Sequence, residues 1–233
     1  MKSIRIANLT LAIAAFLTVS TLASAQLVLD DFSTGPYQKT LKTGHDTNTQ
    51  TGKMAGGSRA TDYVSCPDAG CAGGGAGDNP FDQPNSFQIK PKTKTTPSAL
   101  IFNSGYKTYP VLYLSYGYGS PMTIDLSSSY DRIRLNFDGE NQVINFNLLV
   151  FSSSGYSQTG CNIVAPGYMT PFTIDFPFVD FTSGADFSAV NYMVLEFDVG
   201  GGPNMQADFA VTSFEAIPIG APPADITCPG LGK

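Results

Sequence analysis

Alternation of apolar and polar residues at a period of two is the feature that most constrains the fold of this chain. It is clearest at residues 132–138, where Ile133, Leu135 and Phe137 share one side and polar residues share the other. Successive side chains of a β-strand point to opposite faces, so this pattern predicts a half-buried strand. The same pattern recurs at residues 143–151, 171–181, 193–199 and 208–217.

Shorter segments rich in β-branched and aromatic residues precede these strands, and clusters of Gly, Pro, Ser and Asp separate them. Many short strands without a convincing helical period predict an all-β, antiparallel β-sandwich over residues 26–217. Residues 218–233 contain four prolines and are predicted to be an extended tail rather than a strand. The earlier strand segments are residues 26–32, 37–42, 58–64, 86–90, 99–103 and 111–116.

The first 25 residues have the pattern of a secretory signal peptide. Lys2 and Arg5 precede an apolar run over residues 9–22, and Ala23-Ser24-Ala25 forms a small-residue cleavage site. We therefore expect cleavage after Ala25 and a secreted or periplasmic protein. No later run approaches the roughly 20 apolar residues of a membrane helix, so no membrane insertion is expected.

The charge of the chain argues against some partners. The formal net charge is −6, and removal of a leader that holds two basic and no acidic residues would make it −8. An acidic chain without a basic cluster is poorly suited to nucleic acid or to an anionic membrane surface.

Four cysteines follow the leader, and an even number in a secreted chain favours disulfides. Four cysteines allow three pairings. The expected pairs are Cys66 with Cys71, which would close a short loop, and Cys161 with Cys228, which would attach the tail to the body. A single His and the lack of a second close Cys pair make a tetrahedral zinc site the weaker alternative.

Several segments, in this order, resemble a group of secreted bacterial proteins and, more remotely, galactose-binding-like jelly rolls that include carbohydrate-binding modules. The resemblance covers most of the mature chain and implies a jelly roll. It does not choose a function, because such folds include binding modules, enzyme accessory domains and proteins without known activity. The segments that carry the resemblance are residues 29–35, 50–59, 125–137, 171–181, 186–188 and 208–216.

If the apolar residues of these strands face the core, polar residues face outward together. Such a face would offer charged donors, amides and carboxylates to the hydroxyls of a sugar, and Tyr113 would stack on a sugar ring. We therefore predict a non-catalytic module that binds extracellular glycans. The predicted ligand-binding residues are Arg132, Arg134, Asn136, Asn145, Asn147, Asp175 and Tyr113.

The alternative interpretation is that the polar face is an ordinary solvated sheet surface with cross-strand charge pairs. The protein would then be a structural or adhesive protein of the cell envelope or matrix, without a small-molecule ligand.

The candidate cofactor is a structural calcium ion. Asp30 and Asp31 open the first strand, and Asp208 and Glu215 lie on the last. Terminal strands of jelly rolls often lie side by side, and carboxylate oxygens are calcium ligands. Asp31 and Asp208 are the predicted ligands, and resemblance to calcium-stabilised carbohydrate-binding modules favours this site.

Catalysis is not expected. His45 is the only histidine, it is predicted to lie in a loop, and the chain has no G-x-S-x-G turn. Asp175 and Glu196 are the remaining pair to consider for glycoside hydrolysis, but no acid–base motif surrounds them.

Overall fold

The computed structural model describes residues 25–65, 82–106, 108–140, 144–163, 170–198 and 207–228. The signal-peptide segment up to residue 24, Cys66 and Cys71 therefore lie outside the described residues. Two short 3-10 helices, Ala55–Gly57 and Phe178–Asp180, accompany the strands. The strands are β1 Leu27–Asp30, β2 Tyr37–Leu41, β3 Gly44–Thr51, β4 Ser58–Ser65, β5 Asn85–Lys90, β6 Ala99–Asn103, β7 Pro110–Tyr116, β8 Tyr130–Glu140, β9 Ile144–Ser152, β10 Gly155–Ile163, β11 Phe172–Pro177, β12 Tyr192–Asp198, β13 Asp208–Pro218 and β14 Ile226–Thr227.

The strands form two sheets. The eight-stranded sheet has the order β14-β11-β8-β13-β6-β5-β2, with β1 also paired to β13, and the six-stranded sheet has the order β10-β9-β12-β7-β4-β3. The described pairs are antiparallel except β11 with β14, which is parallel. From β7 to β13 the chain passes repeatedly from one sheet to the other, and only β9 and β10 follow one another within a sheet. The predicted all-β sandwich of jelly-roll type is confirmed.

Aromatic side chains from both sheets fill the space between them. Phe137 of β8 lies 5.5 Å from Phe146 of β9, and Phe209 of β13 stacks 5.1 Å from Phe197 of β12. All four rings are at most 3% exposed. Because β8 and β13 belong to one sheet and β9 and β12 to the other, these contacts hold the two layers together.

β13 does not keep one alternation along its length. Phe209 and Val211 point inward in its first half, and Phe214 and Ala216 point inward in its second half. The pairing with β8 shifts between Val211 and Ser213, and such a bulge moves the following side chains to the other face.

Two strands and part of the tail differ from the sequence prediction. β3 was not predicted, because this edge strand is polar along its whole length and has no buried apolar side. β10 was not predicted either, because its inward positions include Ser157 and Thr159 rather than large apolar residues. The prediction of a tail without a strand is wrong at residues 226–227, since β14 pairs with β11. No helix in the described ranges combines the length and hydropathy needed to cross a membrane.

The predicted disulfide between Cys161 and Cys228 is present. Cys161 lies on β10, an edge strand of the six-stranded sheet, and Cys228 directly follows β14 at an edge of the eight-stranded sheet. The bond therefore links the two sheets at one side of the sandwich and fixes the C-terminal segment to it.

We expect the Cys161→Ala/Cys228→Ala variant to lose about 4 kcal/mol of unfolding free energy. The cysteines are 67 residues apart in sequence, and a cross-link that closes a loop of this size restricts the unfolded chain strongly. Urea denaturation of both proteins measures the difference. Asn162→Ala, at an exposed neighbouring position on β10, is the control and should leave the midpoint unchanged. An unaltered midpoint in the double variant would contradict this role of the disulfide.

A buried ion pair also joins the two sheets. Asp30 of β1 and Arg59 of β4 are both 0% exposed and contact each other directly. The Tyr116 hydroxyl on β7 donates a second hydrogen bond to the Asp30 carboxylate at 3.0 Å. Arg59 also donates to the Thr34 carbonyl oxygen at 2.8 Å and to the side chain of Gln50. These bonds offset part of the cost of removing both charges from water, and burial still raises the pKa of Asp30.

Arg59→Ala should lower the free energy of unfolding by about 3–5 kcal/mol, because it leaves the buried Asp30 carboxylate without its counter-charge. In Asp30→Leu/Arg59→Met both charges are absent, so this double variant should be less destabilised than Arg59→Ala. Equilibrium denaturation of Asp30→Leu, Arg59→Met and the double variant gives the coupling between the sites. Simple additivity of the single effects would show that the pair does not act as a unit.

Candidate functional site

The structure divides the predicted ligand-binding residues between opposite outer faces of the sandwich. Arg132, Arg134 and Asn136 lie on β8 and Asp175 on β11, all in the eight-stranded sheet. Tyr113, Asn145 and Asn147 lie on β7 and β9 in the six-stranded sheet. The expectation that all seven form one patch is therefore wrong. Each strand does present its polar residues outward, but the strands do not all belong to the same sheet.

The arginines on the eight-stranded sheet are engaged with the protein itself. Arg134 forms a two-pronged pair with Asp175, with Nε–Oδ1 and Nη2–Oδ2 distances of 2.7 and 2.9 Å. Its Nη2 also donates to the Pro222 carbonyl oxygen at 2.8 Å, and Arg132 donates to the same oxygen at 3.0 Å. The Ala224 amide donates to Asp175 at 2.9 Å. These groups hold the C-terminal segment on the sheet and are not free for a sugar.

Asn136 is likewise used within this sheet, where its amide donates to the Ser213 hydroxyl at 2.7 Å. Arg132, besides its bonds to the C-terminal segment, contacts Asp175 at 2.9 Å.

The predicted calcium ligands are far apart. β1 and β13 do lie side by side, as expected for terminal strands, with Asp30 opposite Phe214. Asp208, however, pairs with Asn103. It lies six residues along β13 from Phe214, and six residues of a β-strand span about 20 Å. A calcium ion binds oxygens at about 2.3–2.6 Å, so one ion cannot contact both Asp31 and Asp208. The described residues contain no group of three or more His, Cys, Asp or Glu side chains placed to hold a metal.

The residues considered for catalysis do not form an acid–base pair. Asp175 lies in the eight-stranded sheet and Glu196 in the six-stranded sheet, so the sandwich separates them. His45 lies on β3 rather than in a loop, and its Nε2 is 2.6 Å from the Asp62 carboxylate.

The outer face of the six-stranded sheet is arranged in rows that cross the strands. Strand pairing places Asn147, Glu196, Tyr113 and Asp62 side by side on β9, β12, β7 and β4, and we call this set the polar row. A second set of mostly small side chains lies two residues away from the polar row on each strand, and we call this set the floor row. The floor row is Val194, Ser115, Ala60 and Thr49 on β12, β7, β4 and β3.

Aromatic residues border the floor row on the side away from the polar row. Tyr192 precedes Val194 on β12, and its ring is 5.2 Å from that of Phe151. Tyr118 follows β7 and is 61% exposed. The backbone reaches Tyr118 through Gly117, whose φ of 84° favours glycine. A Cβ at Gly117 would lie 2.6 Å from the Asn191 carbonyl oxygen, so glycine is required for this close turn.

The small side chains of the floor row leave an open groove between the aromatic residues and the polar row. Its cavity volume is about 600 Å³. Tyr118 and Tyr192 line one side, Tyr113 and Asp62 the other, and Ala60, Ser115 and Val194 lie between them. The groove crosses β12, β7, β4 and β3, a span of about 14 Å at the usual strand spacing.

The polar row is negatively charged and partly buried. Burial raises the pKa of Glu196, and Asn147 donates a hydrogen bond to its carboxylate at 3.3 Å. Burial, followed by the charges of Glu196, Asp198 and Asp62, raises the pKa of Tyr113 to about 12. Tyr113 is therefore a neutral phenol at physiological pH and can both donate and accept hydrogen bonds.

Tyr118 was not among the predicted site residues. The only sequence signal for it is the alternation of Tyr and Gly at residues 116–119, which marks a turn directly after a strand. Alternation with Met193 indicates that Tyr192 faces outward, but its neighbours could not be known from its own strand.

Comparisons with known proteins give remote structural matches. No protein-family model and no curated protein matches the sequence. A family 11 carbohydrate-binding module from Clostridium thermocellum, solved in complex with a beta-1,3-1,4-mixed-linked tetrasaccharide, is 14% identical with a TM-score of 0.37 over 84% of this chain and 98% of that chain. The family 11 module of a cellulosomal cellulase of the same organism is 15% identical with a TM-score of 0.37 over 84% and 96% of the two chains.

At such low identity neither structure transfers a ligand or a site residue to this chain.

Glu196→Gln should lower the pKa of Tyr113 from about 12, because it removes the charge that contributes most, after burial, to the raised pKa. Alkaline absorbance titration measures this pKa in the wild-type protein and in Glu196→Gln. In each of these two backgrounds, subtracting the titration curve of the corresponding Tyr113→Phe variant leaves the signal of Tyr113 alone. An equal Tyr113 pKa in both backgrounds would contradict the coupling.

Because the folded-state pKa of this phenol lies above its usual value of 10, the stability that it contributes should be lost as the pH rises from 10 towards 12.

Proposed function

We propose that this protein is a secreted, non-catalytic module that binds extracellular glycans in the groove on its six-stranded sheet. The observation that carries this proposal is the groove itself, in which the exposed Tyr118 and the half-buried Tyr192 face a row of hydrogen-bonding groups across a floor of small side chains. Concave sites that combine aromatic surface with a few placed polar groups are typical of ligand binding.

The tyrosines provide the apolar part of the proposed site. A pyranose ring has faces formed by C–H groups, which pack well against an aromatic ring. Tyr118 is 61% exposed and borders the groove with Tyr192. Phe151 and Tyr156, 5.7 Å apart, continue the aromatic surface from Tyr192 towards the β10 edge. Aromatic side chains that share one side of a groove, with Tyr118 and Tyr156 exposed, provide the surface that stacking requires.

The polar row provides the hydrogen bonds. A carboxylate such as Asp62 or Glu196 has two acceptor oxygens and can receive hydrogen bonds from two neighbouring hydroxyls of one sugar. Tyr113 and Asn147 add groups that donate as well as accept. Asn145, which pairs with Asp198 beyond the polar row, extends the polar surface. Of the predicted ligand-binding residues, Tyr113, Asn145 and Asn147 are thus retained in the proposal.

Tyr118→Ala should weaken glycan binding about tenfold or more, because it removes an exposed ring that makes contact area at little entropic cost. A glycan array followed by calorimetry on the best ligand measures the effect. Tyr113→Phe, which removes only a hydroxyl, should cost about 1 kcal/mol of binding free energy.

Ile219→Ala is the matched control for these variants. Its side chain is 63% exposed and follows β13 in the other sheet, so its truncation should leave the affinity unchanged. If the wild-type protein bound no glycan on the array and instead associated with itself or with cell envelopes, the structural or adhesive alternative would replace this proposal.

A further inference from the structure

Apart from His45 of β3, whose Nε2 lies 2.6 Å from the Asp62 carboxylate, the charged side chains around the groove that the structure describes are acidic. Asp62 and Glu196 lie in the polar row, and Asp198 lies two positions beyond Glu196 on the same face of β12. The outward positions of β4, β7, β9 and β12 that the structure describes include no Lys or Arg. A ligand in the groove therefore meets carboxylates without a neighbouring Lys or Arg on these strands.

The basic side chains near this region are committed elsewhere. Arg59 points between the sheets and pairs with Asp30. Lys39 pairs with Asp46 at 3.2 Å, where β2 of the other sheet approaches the β3 edge. Arg132 and Arg134 hold the C-terminal segment on the opposite face of the molecule.

We propose that the groove selects uncharged glycans and rejects those that carry uronate or sulfate groups, an inference that rests on the proposed function. Neutral hydroxyls donate hydrogen bonds to Asp62 and Glu196, whereas an anionic substituent offers them only further negative charge. The two carboxylates are two strands apart, about 10 Å, so a position midway between them lies about 5 Å from each, within one Debye length of both at physiological salt. Salt therefore screens the repulsion only in part.

Matched pairs of polymers test the selectivity. Soluble β-glucan and galactomannan are each compared at pH 8 with a form in which primary hydroxyls have been oxidised to carboxylates, using affinity electrophoresis and then calorimetry. We expect the neutral member of a binding pair to bind at least about tenfold more tightly than its oxidised form. Added salt should narrow the difference, since it screens the repulsion.

Asp198→Asn provides the variant test. Asp198 does not line the groove, so the substitution should leave the affinity for the neutral polymer unchanged and increase the affinity for the oxidised polymer severalfold. Asp138→Asn makes the same change in net charge on an exposed position of the eight-stranded sheet and should alter neither affinity.

The outcomes separate the two proposals. Equal or tighter binding of the oxidised polymer, or no effect of Asp198→Asn on that binding, would overturn the selectivity while leaving glycan binding in place. If none of the four polymers bound and the array showed no glycan ligand, both the proposed function and the selectivity would be overturned.

Discussion

Burial of alternate side chains between two sheets is the constraint on which the rest of this structure depends. Once Leu114, Leu195 and Leu148 of three neighbouring strands point into the core, the residues between them must point outward. Strand register then decides which outward residues become neighbours. The polar row and the floor row are therefore consequences of core packing, even though their members make no contribution to the core.

The shape of the groove follows from differences in side-chain size between adjacent rows. Ala60 and Ser115 are small, whereas Tyr113 on one side and Tyr118 and Tyr192 on the other are large. A sheet with uniform outward side chains would be a flat or convex surface. Here the sequence places small residues at matching positions of neighbouring strands, and the cross-strand register aligns them into a channel.

The two faces of the sandwich use their polar groups differently. On the eight-stranded sheet, Arg134 and Asp175 satisfy each other and bind backbone atoms of the C-terminal segment, which the Cys161–Cys228 disulfide also fixes. On the six-stranded sheet, no such segment covers the groove residues that the structure describes. Residues of similar polarity thus serve cohesion on one face and remain accessible on the other.

The local pattern of the sequence was sufficient to predict most strands and the sandwich class, and the number and spacing of the cysteines favoured the observed bond between Cys161 and Cys228. The strands could be predicted because alternation depends only on neighbours along the chain. β3 and β10 were missed because they lack the apolar inward residues that make such a pattern visible. The bulge in β13 was equally hidden, because both of its alternating sets contain apolar residues.

Alternation along a strand also identified Tyr113, Asn145 and Asn147 as outward residues. It could not assign strands to sheets, and so it joined Arg132 and Arg134 with residues of the opposite face. Only the tertiary structure decided which strands are neighbours, that the arginines bind the C-terminal segment, and that Tyr118 borders a groove. The physical reason is that side-chain direction is a local property of the backbone, whereas sheet membership and register arise from contacts between residues that are distant in sequence.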